Sequence, residues 1–160
     1  MFQPVDSQDH PQQEDHAARR AWMGALARAD TALLEHGLRE VGLPDYVWLR
    51  RPETGLMMVR GRAGGTGERF NLGEMTVTRC ALRLAAGESG VAYVPGRSHR
   101  KAELAALADA LLQSPQSAAA LRAALLEPLE RELQERAECM QRKAQATRVE
   151  FFTVAREAGA

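Results

Sequence analysis

Between residues 46 and 95 the chain alternates short β-patterned runs with turns of a few residues, and this limits the fold more than any other feature. Parallel strands need crossovers of a dozen or more residues, so these runs must pair as an antiparallel meander. The clearest run is 75–84. Thr76, Thr78, Cys80, Leu82 and Leu84 share one face, and Met75, Val77, Arg79, Ala81 and Arg83 share the other. Residues 46–51 read as a strand, 52–55 as a turn around Pro52 and Gly55, and 56–60 as the returning strand. A turn at 86–90 leads into a last strand at 91–95.

Helical spacing flanks this meander. Trp22, Leu26, Ala29 and Leu33 recur along 16–36, with Gly37 expected as the C-cap. Leu104, Leu107, Ala108, Leu111 and Leu112 form an apolar stripe over 100–113, which Ser114 and Pro115 end. Leu121 and Leu125 begin a further helix. Pro128 fits the first turn of the next, and Leu129, Leu133, Ala137, Met140 and Ala144 continue its stripe. The expected fold is therefore α+β: an antiparallel meander of about four to five strands, with an N-terminal helix and a C-terminal helical region packed on it. Residues 1–15 are polar and are expected to be a disordered tail, 16–147 a single α+β domain, and 148–160 a C-terminal arm or last element. Phe151, Phe152 and Val154 either close the core of this chain or dock on a partner.

Lys plus Arg and Asp plus Glu number 21 each, so net charge names no partner. Its distribution does. Residues 50–101 hold ten basic and four acidic side chains, leaving six net positive charges there and six negative elsewhere. A basic middle in a neutral protein fits an anion site or a complementary subunit surface. With 5% aromatic residues and no stacking aromatics on a basic face, nucleic acid is not an expected partner. No run reaches membrane-spanning length and residues 1–16 lack an apolar signal core, so a cytoplasmic location is expected. Cys80 and Cys139 have no metal-ligand spacing and read as two reduced thiols; no metal is expected. His10, His16, His36 and His99 suggest no catalytic pairing, and no catalytic residue is assigned.

Two segments could carry chemistry. Gly61, Gly64, Gly65, Gly67 and Gly73 interleave with Arg62, Arg69 and Arg79. The spacing fits neither a P-loop nor a dinucleotide fingerprint. It reads either as an anion-binding nest of backbone N–H groups or as a glycine-rich hairpin with bulges. The second segment is 96–101, where Arg97, His99, Arg100 and Lys101 surround a helix start capped by Ser98.

The same residues carry a family resemblance. The run Gly-Gly-Thr-Gly-Glu-Arg-Phe at 64–70 followed by Gly-Glu-Met-Thr-Val-Thr-Arg at 73–79 resembles the PhnG family, the G subunit of the bacterial carbon–phosphorus lyase core complex. Trp22-Met23, Glu53-Thr54-Gly55, Gly96-Arg97, the stretch 109–113 and the stretch 148–153 agree in order, so the likeness spans roughly 17–157. It departs where the family has Asp after Gly-Arg and His before Ala-Glu: this chain has Ser98 and Lys101.

The resemblance implies a subunit that acts with the H, I and L subunits, the J subunit being a further core partner that later cleaves the carbon–phosphorus bond. The complex displaces adenine from MgATP with a phosphonate such as methylphosphonate, giving a ribose 1-phosphonate 5-triphosphate. The I subunit is taken to carry the nucleosidase chemistry, so this chain is expected to support rather than catalyse. It needs no cofactor of its own; MgATP is a substrate of the complex. Contact with substrate anions or partner acids is expected from Arg62, Gly64, Gly65, Thr66, Gly67, Arg69, Thr76, Thr78, Arg79 and Arg97. The alternative is a free-standing anion- or nucleotide-binding module using the same surface.

Overall fold

A computed structural model describes residues 11–63 and 67–147. It shows an α+β fold in the order α1 (Pro11–Arg28), α2 (Thr31–Val41), β1 (Tyr46–Gly61), β2 (Phe70–Leu84), β3 (Ser89–Pro95), α3 (His99–Gln113), α4 (Ala118–Leu121), a π-helical segment (Arg122–Leu126) and α5 (Glu127–Ala146). The sheet is antiparallel with strand order β1-β2-β3, three strands where four to five were expected.

The difference arises at Pro52. Residues 46–61 form one 16-residue strand rather than two strands and a turn. Its register against β2 slips between Trp48 and Arg50 and again between Arg50 and Glu53. Such bulges absorb the extra residues and bend the strand without reversing it. Pro52 is tolerated because β1 is an edge strand, where a missing N–H costs no ladder bond.

The N-terminal helical pattern also divides. Asp30 caps α2, its side chain accepting from the Ala32 N–H at 3.2 Å. Gly37 is not a cap: it is buried within α2, where an added Cβ would lie 2.6 Å from the Leu125 Cβ. The cap is Gly42, at φ +89°. Helix α1 begins at Pro11, inside the stretch expected to be a tail.

Helix α3 holds the core together. Ala102 and every residue from 104 to 112 are buried, so the helix is enclosed on all sides rather than along one stripe. Sheet residues Cys80, Leu82, Leu84, Ala92 and Val94 cover one side; Trp22, Leu26, Leu34, Leu38, Leu121 and Leu125 from the other helices cover the rest. Gly90 permits the closest approach: an added Cβ would fall 1.9 Å from the Ala106 carbonyl oxygen. Pro128 follows the π segment, whose wider turn carries the Glu127 N–H to the Arg122 carbonyl. Such a bulge relieves the clash that a proline ring makes with the carbonyl four residues back. In α5 only Leu129 is buried and Leu133 half-packed; Ala137, Met140 and Ala144 are exposed. Gly64, Gly65, Thr66, Phe151, Phe152 and Val154 lie outside the described residues.

Candidate functional site

The long β1–β2 hairpin and the short β3 bring three separated motifs together. Glu53 pairs with Arg79 across β1 and β2, and Arg79 with Tyr93 across β2 and β3, so one row on the uncovered sheet face reads Glu53–Arg79–Tyr93. The next row, on the helix-covered face, reads Thr54–Thr78–Val94. The loop through Gly96 and Arg97 then carries the chain into α3 beside the second row.

On the uncovered face, Arg79 Nε donates to Glu53 Oε1 at 2.7 Å, and Arg50 Nη1 donates to the same oxygen at 2.6 Å. The hydrogen bond from Arg50, and then that from Arg79, hold the Glu53 carboxyl below the usual glutamate range. Its hydrogen bond to Glu53 raises the Arg79 pKa in turn. Both side chains are about half exposed, so this is a surface pair with little bearing on stability. Arg79 thus pairs with a carboxylate of this chain, through Nε alone. Beside it lies a cleft of about 240 Å³ lined by Gly55, Met57, Val77 and Tyr93 as well as the pair.

On the other face, hydrogen-bond directions can be assigned. The Thr78 hydroxyl, fully buried, donates to the Gly96 carbonyl at 2.8 Å. With its proton committed it must accept from Thr54, 3.1 Å away. Thr54 then accepts from His99, whose Nε2 lies 3.2 Å from the Thr54 oxygen. The chain runs His99 Nε2–H to Thr54 to Thr78 to Gly96 carbonyl, which fixes Nε2 as the protonated nitrogen. Gly96 has φ +90° and its N–H donates to the Thr76 carbonyl at 2.9 Å. Ser98 caps α3 as expected, accepting from the Lys101 N–H at 3.2 Å. Arg100 is held by Glu35 at 3.0 Å and Glu103 at 3.2 Å, and burial lowers the Lys101 pKa. Arg97 is exposed and makes no ion pair among the described residues.

The sequence-based site residues therefore separate into two groups. Thr76, Thr78 and Arg79 lie at the base of the hairpin, the threonines on the helix-covered face and Arg79 on the other, with Arg97 in the loop after β3. Arg62, Gly67 and Arg69 lie at its tip, beyond the Gly61–Phe70 pair and seven or more residues along β2 from Thr78, a span of about 23 Å or more. No small anion touches both groups. Gly61, Gly67 and Gly73 all lack a left-handed φ, so the cluster makes no left-handed nest among its described members.

One group escaped the sequence reading. Asp109 is fully buried in α3 and accepts four hydrogen bonds: from Arg19 Nε and Nη2 at 3.1 and 2.7 Å, Trp22 Nε1 at 2.9 Å and the Val91 N–H at 3.0 Å. This binds α1, β3 and α3 at one point. Its sequence signal was a lone aspartate inside the otherwise apolar run 104–112, which demands buried partners. Cys80 is a structural thiol: it donates to the Ala102 carbonyl at 3.1 Å, and burial pushes its pKa up to about 12. Among the described residues no three His, Cys, Asp or Glu side chains converge as a metal site. No described helix is long and apolar enough to cross a membrane.

A helix-backed three-stranded sheet with a long projecting hairpin thus places the described motif residues on surfaces suited to contact. The model of the family "Phosphonate metabolism protein PhnG" matches residues 17–157, and the chain belongs to that family. A relative from Rhizobium meliloti (strain 1021), "Alpha-D-ribose 1-methylphosphonate 5-triphosphate synthase subunit PhnG", is 43% identical over 145 residues, covering 88% of this chain and 90% of the relative.

Proposed function

We propose that this chain is a subunit of an α-D-ribose 1-methylphosphonate 5-triphosphate synthase, the complex that displaces adenine from MgATP with methylphosphonate in phosphonate catabolism. The observation that carries this reading is the 43% identity to a synthase subunit over nearly the full length of both chains. The other subunits named by the family resemblance, H, I, J and L, are its partners, and the cytoplasm, where ATP is available, is its location.

The chemistry defines what such a subunit must supply. Losing adenine gives the ribose C1′ oxocarbenium-like character, which water captures unless the phosphonate is already in place. The site must therefore exclude water and fix the phosphonate beside C1′. This chain fits a supporting role in that task. Glu53 is ionised and committed to two arginines, and the Thr54–Thr78 chain ends on a backbone carbonyl. Neither the Glu53 carboxylate nor the Thr78 hydroxyl has a proton free for the leaving base. Arg79 and Arg97, at the hairpin base, are suited to substrate oxyanions or partner carboxylates, and Arg62 and Arg69 to the same at the tip.

Co-expression with the H, I, J and L subunits, followed by an adenine-release assay with MgATP and methylphosphonate, tests the reading. Adenine release should require this chain, and the chain should co-elute with the others. Full activity without it, or unaided binding of ATP by the chain as a monodisperse monomer, would overturn the subunit reading in favour of a free-standing nucleotide-binding module.

A further inference from the structure

The hairpin outruns the rest of the molecule. β3 ends at Pro95, opposite Val77. Beyond that point residues 55–61 of β1 pair only with residues 70–77 of β2, as a two-stranded ribbon. A ribbon of two strands is marginal in water by itself.

Its composition is not that of a solvated ribbon. On the face continuous with Thr76 and Thr78, Leu56 is 68% exposed; Leu72, unpaired at the register shift between Val59 and Arg60, is 67% exposed. On the opposite face, Met57 and Met75 are 41% and 37% exposed. Four consecutive apolar residues, 56–59, are the pattern of a strand covered on both sides, yet here both sides are open. Gly55 and Gly73 are open as well: an added Cβ would meet nothing within 4 Å, and neither has a left-handed φ. Gly73 adjoins the register shift between Val59 and Arg60, but Gly55 is paired in register with Val77, and folding of this chain alone gives no reason for glycine there, whereas a backbone approaching from outside would.

Charge selects the occupant. Arg60, Arg62 and Arg69 surround the tip with Glu68 among them, Arg50, Arg51, Arg79 and Arg97 surround the base with Glu53, and Glu74 lies between on the ribbon, leaving both ends net basic. A second copy laid along the arm would set one basic end against another, which is unfavourable. An acidic partner would not.

We propose that the ribbon of residues 55–61 and 70–77 is an arm that inserts between surfaces of another subunit of the synthase, one presenting an apolar cleft with an acidic rim. This rests on the subunit reading above. Tagged chain co-expressed with the remaining synthase subunits from the same source, then resolved by size exclusion, tests it. The double variant Leu56→Asp/Leu72→Asp should be captured at least about tenfold less well than wild type. By itself it should keep the wild-type circular dichroism spectrum and melting temperature. Wild-type capture of this variant overturns the arm proposal and leaves the subunit reading intact. Failure of the wild-type chain to co-elute removes both. Should the aspartates unfold the chain, Arg60→Glu/Arg62→Glu/Arg69→Glu alters exposed side chains only. It should weaken capture most at low salt, and unchanged capture overturns the proposal. A dimer of the wild-type chain alone that Leu56→Asp/Leu72→Asp dissociates would make a second copy the occupant, and the proposal wrong.

Discussion

The Trp22 indole donates to Asp109 Oδ1 at 2.9 Å, joining the first helix to the centre of the core through a carboxylate with no solvent exposure. Arg19 closes the other side of Asp109 with two further bonds and caps the Ser89 carbonyl at 3.2 Å, on the outer edge of β3. Charge and hydrogen bonding balance only while both partners are present. Asp109→Ala leaves the Trp22 N–H and the Val91 N–H without an acceptor, and Arg19→Ala leaves a buried carboxylate without its counter-charge. Each should cost about 3–5 kcal/mol in urea unfolding. The double variant should cost clearly less than the sum, since each loss removes part of the reason for the other. Additive effects, or losses below about 1 kcal/mol, would show that the cluster is not a structural unit.

Glu53 gives a prediction about pH. Its carboxyl pKa lies below the ordinary value of about 4.3 because Arg50 and Arg79 hold the charged form. For a depressed carboxyl pKa, any stabilisation is present above the ordinary range and is lost as pH falls through the lowered value. The Glu53–Arg79 pair should thus contribute no pH dependence between pH 5 and 8. Carboxyl carbon NMR should place the Glu53 midpoint below that of a free glutamate, and Arg50→Ala/Arg79→Ala should restore it. A normal midpoint in the wild-type chain would contradict the geometry.

Arg79→Lys separates stability from function. The pair is exposed and made through Nε alone, so a lysine should leave the melting temperature of the isolated chain within about 2 °C of wild type. In the assembled synthase the proposed contact of the planar fork with an oxyanion or partner acid predicts that the same change lowers adenine release at least about tenfold. A raised KM for one substrate would indicate an oxyanion contact, and lost co-elution a partner carboxylate. Kinetics within twofold of wild type would remove Arg79 from the site.

How far the fold was legible follows from where local signals agree with tertiary ones. The 75–84 alternation, the Ser98 cap and the Ser114 stop each depend on neighbouring residues only, and each is found as read. Pro52 was misleading because turn chemistry and a bulge on an edge strand use the same residue types. Gly37 was misleading because a glycine needed for close packing against Leu125 resembles a glycine needed for a cap. The convergence of Glu53, Thr78, Arg79 and Gly96 depends on strand register, which no local pattern encodes. The division of the glycine–arginine segment between base and tip depends on how far β3 extends.

Reactivity should divide the two cysteines. Cys80 is buried, hydrogen-bonded to the Ala102 carbonyl and shifted up to about 12, so it stays a protonated thiol at pH 8. Cys139 is partly exposed on α5, and both are free. An aromatic disulfide reagent should titrate one thiol per native chain and two after denaturation. Cys139→Ser should abolish the fast reaction. Two fast thiols would mean that the strand–helix contact at Cys80 opens readily.

Gly90, outside the glycine–arginine segment, matters for folding, and Gly73, within it, does not. At Gly90 an added methyl would meet the Ala106 carbonyl oxygen at 1.9 Å and the Ala110 Cβ at 2.9 Å, contacts with backbone and with a helix that cannot rotate away. Gly90→Ala must lift β3 off α3, disturbing the Val91–Asp109 bond at the same time. Its expected cost is at least about 3 kcal/mol, the upper end for overpacking. Gly73→Ala adds a methyl to open space at an ordinary φ. It should leave the isolated chain unchanged or up to about 1 kcal/mol more stable, through a less flexible unfolded state. Urea unfolding of both variants, paired with capture by the other synthase subunits, reads the two roles separately. Gly90→Ala should fail in the isolated chain, and Gly73→Ala only on assembly. Wild-type stability of Gly90→Ala would refute the close packing of β3 on α3. Undiminished assembly of Gly73→Ala would show that no partner backbone approaches the ribbon there.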